Sequence, residues 1–291
     1  MPKPKNTTIA SSELEQLRRA RVLLDNPGLA ARISDLAGAP IERSFQMLPE
    51  RWYRSVQEAS RKTIETALEV ALGTMDTETP GPASSRWHTM AATTAGAAGG
   101  AFGLAALALE LPVSTTIMLR SIADIARSEG EDLRLPEARL ACLQVLALGG
   151  SDTRDDAAET GYFTVRAAMA RTVSECAAHV ARKGLIDKSA PVIVRLISQI
   201  ASRFSIVVSQ KAAAQSIPIA GAIGGAAVNA LFIDHFQNMA RGHFIIRRLE
   251  RTHGAEKVRM MLVEPMPEYT EPARPRLSHP ELRAEADDPA G

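Results

Sequence analysis

The fold class is clearest in residues 136–150, which read PEARLACLQVLALGG. Pro136 is placed where a helix can begin, because the first helical position does not need a backbone N–H. Gly149 and Gly150 follow the last apolar turn, and glycine is common just beyond a helix C-terminus. The stretch therefore predicts a helix from Pro136 to Leu148.

Helical signals recur on both sides of this stretch, and strand signals do not. Further helices are predicted over Ile41 to Leu72 with a bend at Pro49, Pro112 to Ser128, Asp155 to Arg182, Pro191 to Gln215, and Asp234 to His253. We expect Glu110, Leu111 and Pro112 to separate the helix Pro112 to Ser128 from the apolar residues before it. The predicted fold is all-α, a compact multi-helix bundle with disordered termini.

The chain divides by composition into two tails, a linker and two helical parts. Residues 1–10 are basic and polar, and residues 264–291 hold six prolines among charges, so both are expected to be disordered tails. Residues 11–76 predict N-terminal amphipathic helices, residues 77–85 a linker rich in turn-forming residues, and residues 86–263 the helical core.

Charge and cysteine content exclude several classes of protein. The 291 residues include 34 basic and 33 acidic ones, a net charge of +1, and only 4% are aromatic. No nucleic-acid partner is expected, because neither a basic surface nor a stacking platform is indicated. Cys142 and Cys176 are too few for a disulfide framework. With no secretory signal pattern at the N-terminus, we expect a cytoplasmic protein, peripheral at the inner face of the cytoplasmic membrane.

Two uncharged stretches, Met90–Leu109 and Ile217–Ile233, are rich in alanine and glycine. Glycines four apart share one helical face and let another helix approach closely, as between membrane helices. These packing or lipid-facing candidates are Gly96, Gly99, Gly100, Gly103, Gly221, Gly224 and Gly225. The strong hydrophobes supply only about 2 and roughly 3.5 kcal/mol of insertion free energy. Core helices, a lipid-facing surface and a membrane hairpin all remain open.

Two groups of polar residues are candidate sites. Arg120, Asp124 and Arg127 share a helical face and form an ion cluster or an anion site for a lipid phosphate. Asp234, His235 and His243 are the candidates for catalysis. The two histidines lie about 12 Å apart along a helix, too far for one metal ion. No zinc-ligand spacing or phosphate loop is present, so no metal and no cofactor is expected.

The sequence resembles the EcsC protein family of bacteria in several ordered blocks. These blocks are residues 111–126, 142–150, 208–215, the glycine segment that follows them, 234–237 and 242–250, and the resemblance covers about residues 50–262. The family is named for a protein encoded beside the two components of an ABC transporter, and its biochemical function is unassigned. The resemblance implies a helical bacterial protein linked to a transport system or a membrane, and it supplies no catalytic residues.

Three functional hypotheses follow. The leading one is a non-enzymatic accessory protein that meets membrane lipid or a membrane transporter through its glycine-spaced segments. The alternative is a hydrolase-type enzyme in which Asp234, His235 and His243 converge on one polar pocket, with Arg120 binding an anion. The third is a pure scaffold for a transporter.

Overall fold

The structure is a computed structural model that describes residues 10–25, 29–37, 50–74, 103–150, 158–183, 187–216 and 225–263. These residues form nine helices and no strand, which confirms the all-α prediction. The helices are α1 (Ser11–Leu24), α2 (Leu29–Ala37), α3 (Glu50–Thr74), α4 (Gly103–Ser128), α5 (Pro136–Leu148), α6 (Ala158–Lys183), α7 (Pro191–Ser216), α8 (Gly225–His253) and α9 (Ala255–Val263).

Helix α5 is the centre of the bundle, and its bounds are those predicted from the sequence. Every residue from Ala138 to Leu148 is buried, because α3, α4, α6, α7 and α8 all pack against it. Arg139 is the one charged residue in this buried stretch. Its guanidinium donates to the carbonyl oxygen of Leu72 at 2.7 Å and thereby joins α5 to the end of α3.

Helices α4 and α8 run in the same direction, and α7 runs opposite to both. Lys211 of α7 contacts Glu110 of α4 and Asn229 of α8. Farther along α4 and α8, Gln237 donates to the Ser121 hydroxyl at 2.8 Å. The aromatic rings of Phe204, Phe232 and Phe236 pack between α7 and α8, with centroids 5.2–6.1 Å apart. The start of α4, the end of α7 and the start of α8 therefore meet at one end of the bundle.

Helix α1 packs along the other half of α8. Gly242 makes this close approach possible, because a Cβ built there would lie 2.7 Å from the Leu24 Cγ and 3.0 Å from the Ala20 carbonyl oxygen. Leu17 and Ala20 are fully buried in the same hydrophobic core as α5. The N-terminal helix is therefore packed into the bundle.

The turn after α4 is fixed by Gly130. Its φ of +79° lies in the left-handed region, which glycine adopts without steric cost. The N–H of Glu131 donates to the carbonyl of Ala126 at 3.0 Å, and the N–H of Gly130 to that of Arg127 at 2.9 Å. This is the Schellman pattern of helix termination.

Three sequence predictions on helix ends were wrong. Pro112 lies inside α4, which begins at Gly103, whereas the sequence predicted a break at this proline. Helix α8 begins at Gly225, nine residues before Asp234, because the apolar residues between them continue the same helix. A further helix, α9, follows Gly254, where the sequence predicted no separate element. At Gly254 the chain does turn, since its φ of +92° lies in the left-handed region, but a short helix follows at once.

Several predictions fall outside the described residues. They include both tails, the linker at 77–85 and the segment 41–49. The same holds for most of the glycine-spaced positions, Gly96, Gly99, Gly100, Gly221 and Gly224. Gly103 and Gly225 are described, as the first residues of α4 and α8.

Candidate functional site

Asp234 lies on the surface of α8 and faces α2. Its Oδ2 accepts a hydrogen bond from Arg32 at 2.7 Å and another from the Asn238 amide at 3.2 Å. The Asp234 side chain is 44% exposed. This arrangement ties α2 to α8 through an exposed ion pair, a contact that contributes little to stability.

His235 points from the same helix into the core. Its Nε2 lies 3.0 Å from the carbonyl oxygen of Gly149. A carbonyl only accepts, so Nε2 carries the proton. Burial lowers the pKa of His235 below its usual value, although the hydrogen bond to Gly149 opposes this. His235 is therefore uncharged at neutral pH, and its hydrogen bond to Gly149 links α8 to the end of α5.

His243 is also buried, two turns farther along α8. Its Nδ1 is joined to the Tyr162 hydroxyl by a 2.9 Å hydrogen bond, and its Nε2 has no partner among the described residues. Burial, and then the charges of Arg166 and Arg247, lower the pKa of His243 well below its usual value. Burial raises the pKa of Tyr162 to about 12. At neutral pH both side chains are uncharged.

The three side chains proposed for catalysis thus have different partners on different helices. Asp234 faces α2, His235 faces the end of α5, and His243 faces α6. The structure does not bring them together in one pocket. Within the described part of the chain, no group of three or more His, Cys, Asp or Glu residues is arranged to hold a metal ion.

The structure joins two members of the predicted anion cluster. Arg127 donates to Asp124 at 2.7 Å, and the two side chains are 10% and 20% exposed. Arg120 is half-buried one turn before Asp124 on the same helix. The guanidinium of Arg127 is thus already paired with a carboxylate of its own helix.

A second ionic cluster was not predicted from the sequence. The Glu131 carboxylate accepts hydrogen bonds from Arg247 at 2.8 Å and from Arg251, both near the end of α8. Burial would raise the pKa of Glu131, but hydrogen bonds and charge from the two arginines outweigh this and lower it. The Gly130 turn places Glu131 here. The cluster therefore fixes the turn after α4 to α8.

The most unusual polar group is a buried ion pair that was also missed. Lys211 Nζ lies 2.7 Å from Glu110 Oε1 and 2.8 Å from Asn229 Oδ1, and it stands 4.8 Å from the centre of the Phe232 ring. The side chains of Lys211 and Glu110 are 0% and 5% exposed. Burial lowers the pKa of Lys211, whereas the charge of Glu110 opposes that shift.

This ion pair gives the end of the bundle an unusual composition. We call residues 103–112 of α4, 204–216 of α7 and 225–233 of α8 the uncharged end. Glu110 and Lys211 are the only charged residues in these three segments, and they neutralise each other in the interior. The sequence signal was present, because each charge is isolated in an apolar stretch, but their pairing across 101 positions was not visible.

The comparisons with known proteins give one clear result. A model of the EcsC protein family matches residues 11–249. No curated protein matches the chain, and no solved structure matches it either. The match extends from the start of α1 almost to the end of α8, so it includes the uncharged end and the central helix. The chain belongs to the EcsC protein family.

Proposed function

We propose that this EcsC-family protein is a non-enzymatic accessory protein that associates with a membrane surface through the uncharged end of its bundle. The observation that carries the proposal is the neutral composition of the three helix segments that meet there, whose only two charges are paired internally. Each unpaired charge would oppose contact with a bilayer by roughly 2.5–3.5 kcal/mol at its centre. The three segments of the uncharged end avoid that cost, because they carry no unpaired charge.

Helix α7 also supports membrane contact at the uncharged end. Its residues Pro191–Ala214 are long and apolar enough to cross a membrane, with a mean hydropathy of 1.5 over the best window, half of which is buried. A core helix of a soluble protein meets the same criterion, so this helix alone does not carry the proposal. Its outward face adds an exposed apolar side chain, Ile206, which is 36% exposed. On α4, Val113, the residue that directly follows the uncharged end, is 52% exposed.

The start of α3 carries residues suited to a membrane interface. Glu69, near the end of α3, pairs with Lys188 just before α7 begins. Since α3 packs along α7, its first turns lie toward the C-terminal half of α7. These turns hold Trp52 and Tyr53, the latter 40% exposed, and the exposed Arg54. Tryptophan and tyrosine are enriched at membrane interfaces, and arginine is attracted to anionic lipid.

A membrane transporter is the alternative partner at the same surface. The family takes its name from a protein encoded beside an ABC transporter, and apolar helix ends pack against transmembrane helices as they pack against lipid. In this arrangement the protein would be peripheral at the inner face of the cytoplasmic membrane. Binding to protein-free vesicles separates direct lipid contact from docking on a transporter.

Vesicle flotation tests the proposal with matched surface variants. We expect the purified chain to float with vesicles containing phosphatidylglycerol, and to be found in the membrane fraction of cells. Val113→Asp combined with Ile206→Asp should lower the vesicle partition constant about tenfold, which corresponds to about 1.4 kcal/mol. Val22→Asp on α1 is the control, since Val22 is 47% exposed but belongs to the other half of the bundle.

Two results would count against this proposal. Wild-type protein that stays soluble with every vesicle composition, and that co-purifies with no lipid, would exclude direct lipid contact. Equal loss of flotation in the Val22→Asp control would show that binding does not depend on the uncharged end. If vesicle binding is absent but a transporter is recovered with the protein from membranes, the partner is the transporter and the lipid proposal is wrong.

A further inference from the structure

The buried ion pair lies beside a weak point in α4. Pro112 stands inside this helix, two residues after Glu110. Proline has no backbone N–H, so the hydrogen bond that normally runs from residue 112 to the carbonyl of residue 108 cannot form. Helices bend most readily at such positions. The ion pair that holds the start of α4 is therefore adjacent to Pro112, where α4 bends most easily.

Apolar packing alone does not make the uncharged end prefer the core over lipid. Alanine, leucine and valine side chains are as well accommodated by hydrocarbon as by each other. The contacts of Lys211 are directional, because its one ammonium group joins Glu110 of α4 to Asn229 of α8. Buried ion pairs add little net stability, and their best-attested use is to select one arrangement of helices.

The layer of contacts about three turns beyond this pair along α4 is held by several separate interactions. Ser121 and Gln237 join α4 to α8 at 2.8 Å. Arg203 of α7 donates to the carbonyl oxygens of Ala147 and Gly150 at 3.2 and 2.9 Å. A movement that begins at Pro112 would therefore leave this layer in place and affect only the uncharged end.

We propose that the contact of Lys211 with Glu110 and Asn229 is a latch that holds the uncharged end closed in water. Pro112 is the hinge on which the start of α4 turns away when the protein meets a bilayer. Lys211 then exchanges the Glu110 carboxylate for the phosphate of an anionic lipid, while its alkyl stem stays in the apolar layer and the Glu110 carboxylate turns with the start of α4 into water. This inference rests on the proposed membrane function and gives it a lipid preference and an order of events.

The test measures the reactivity of Lys211 with an amine-acylating reagent, by mass spectrometry of the intact, folded chain. In solution Lys211 should react at least about tenfold more slowly than Lys62, because a buried amine reacts only during opening. Lys62 is the internal control, since its side chain is 70% exposed on α3. Phosphatidylglycerol vesicles should raise the reactivity of Lys211 several-fold, and phosphatidylcholine vesicles should have a smaller effect.

Three variants separate the latch from a fixed structural pair. Glu110→Gln should raise Lys211 reactivity in solution and increase vesicle binding. Pro112→Ala restores the missing backbone donor, so it should lower the reactivity of Lys211 on vesicles while leaving the fold intact. Glu250→Gln is the matched control, because it weakens the Arg166–Glu250 ion pair near the far end of α8. It should change neither reactivity nor binding.

The outcomes distinguish the latch from the membrane proposal. If wild-type protein floats with vesicles while Lys211 stays unreactive, the latch is wrong and the proposed function stands. If no variant binds vesicles, the proposed function and the lipid exchange both fail. If Pro112→Ala behaves as wild type in both measurements, Pro112 is not the hinge and the inference is overturned.

Discussion

Replacing both members of the buried ion pair should be far less damaging than replacing one. Lys211→Met leaves the Glu110 carboxylate, whose side chain is 5% exposed, without its cation. Glu110→Met leaves the ammonium of Lys211, which is 0% exposed, without its anion. Removing one partner of a buried pair costs about 3–5 kcal/mol of unfolding free energy. Methionine fills the space of either side chain with little strain.

The double variant retains only the loss at Asn229. Its side-chain oxygen loses the hydrogen bond from Lys211, worth about 1–3 kcal/mol when it is buried. The two single losses sum to about 6–10 kcal/mol, so the coupling between the sites should be at least about 3 kcal/mol. Such a coupling is a property of contact, because distant sites add to within about 0.5 kcal/mol.

Urea unfolding followed by circular dichroism at 222 nm measures all four proteins. Glu110→Gln is a milder substitute if Glu110→Met does not fold, because the amide oxygen keeps an acceptor for Lys211. Losses in the single variants that simply add up in the double variant would refute the reasoning. They would mean that Lys211 and Glu110 do not share a buried contact.

Four further predictions concern other parts of the bundle. His243 stays neutral when buried but accepts a proton near pH 6.5 when the chain unfolds. The unfolded state then binds more protons, so stability should fall as pH drops below that value, by up to about 1.4 kcal/mol per pH unit. His243→Gln should reduce this slope in urea titrations, and an unchanged slope would contradict the assignment. Gly149→Ala should cost about 1–3 kcal/mol, because its Cβ would lie 2.7 Å from the Phe236 ring. Gly73→Ala should raise the free energy of unfolding by up to about 1 kcal/mol, because a Cβ at Gly73 meets nothing within 4 Å. Equal urea midpoints for the Gly149→Ala and Gly73→Ala variants would contradict this packing. Cys142 is fully buried and its thiol pKa is raised by burial, so it should react with a thiol reagent only after denaturation.

The sequence predicted helix ends correctly where the residues that start and stop helices agree with the packing. Pro136 and the two glycines after Leu148 bound α5 as expected. The glycines also allow close packing, because a Cβ would lie 2.7 Å from the Phe236 ring at Gly149 and 2.4 Å from the Arg203 carbonyl oxygen at Gly150. Pro112 is the opposite case. Its local preference is to end a helix, but Leu111 on one side and Met118 on the other are fully buried in the core. Burial of those side chains outweighs the lost hydrogen bond, and a single sequence does not show that balance.

The sites were harder to predict, because the type of a residue says less about its role than the groups that its side chain contacts in the fold. The sequence led to the hypothesis that His235 and His243 of α8 are catalytic. In the fold, His235 instead contacts Gly149 and His243 contacts Tyr162, and these partners are not visible in the sequence. Lys211 and Glu110 carry no motif at all. Their one visible property is that each is a single charge in an apolar stretch, which is costly unless another charge lies beside it.

That property is also the basis of the proposed membrane function. A free charge in the uncharged end would make contact with hydrocarbon unfavourable, and two such charges would make it more so. Because Lys211 and Glu110 pair inside the bundle, the three described segments of the uncharged end carry no unpaired charge. A bilayer and a transmembrane partner both accept the uncharged segments, but only an anionic lipid offers Lys211 a phosphate whose charge is not balanced within its own headgroup. The dependence of Lys211 reactivity on lipid charge therefore distinguishes the two partners more directly than binding alone.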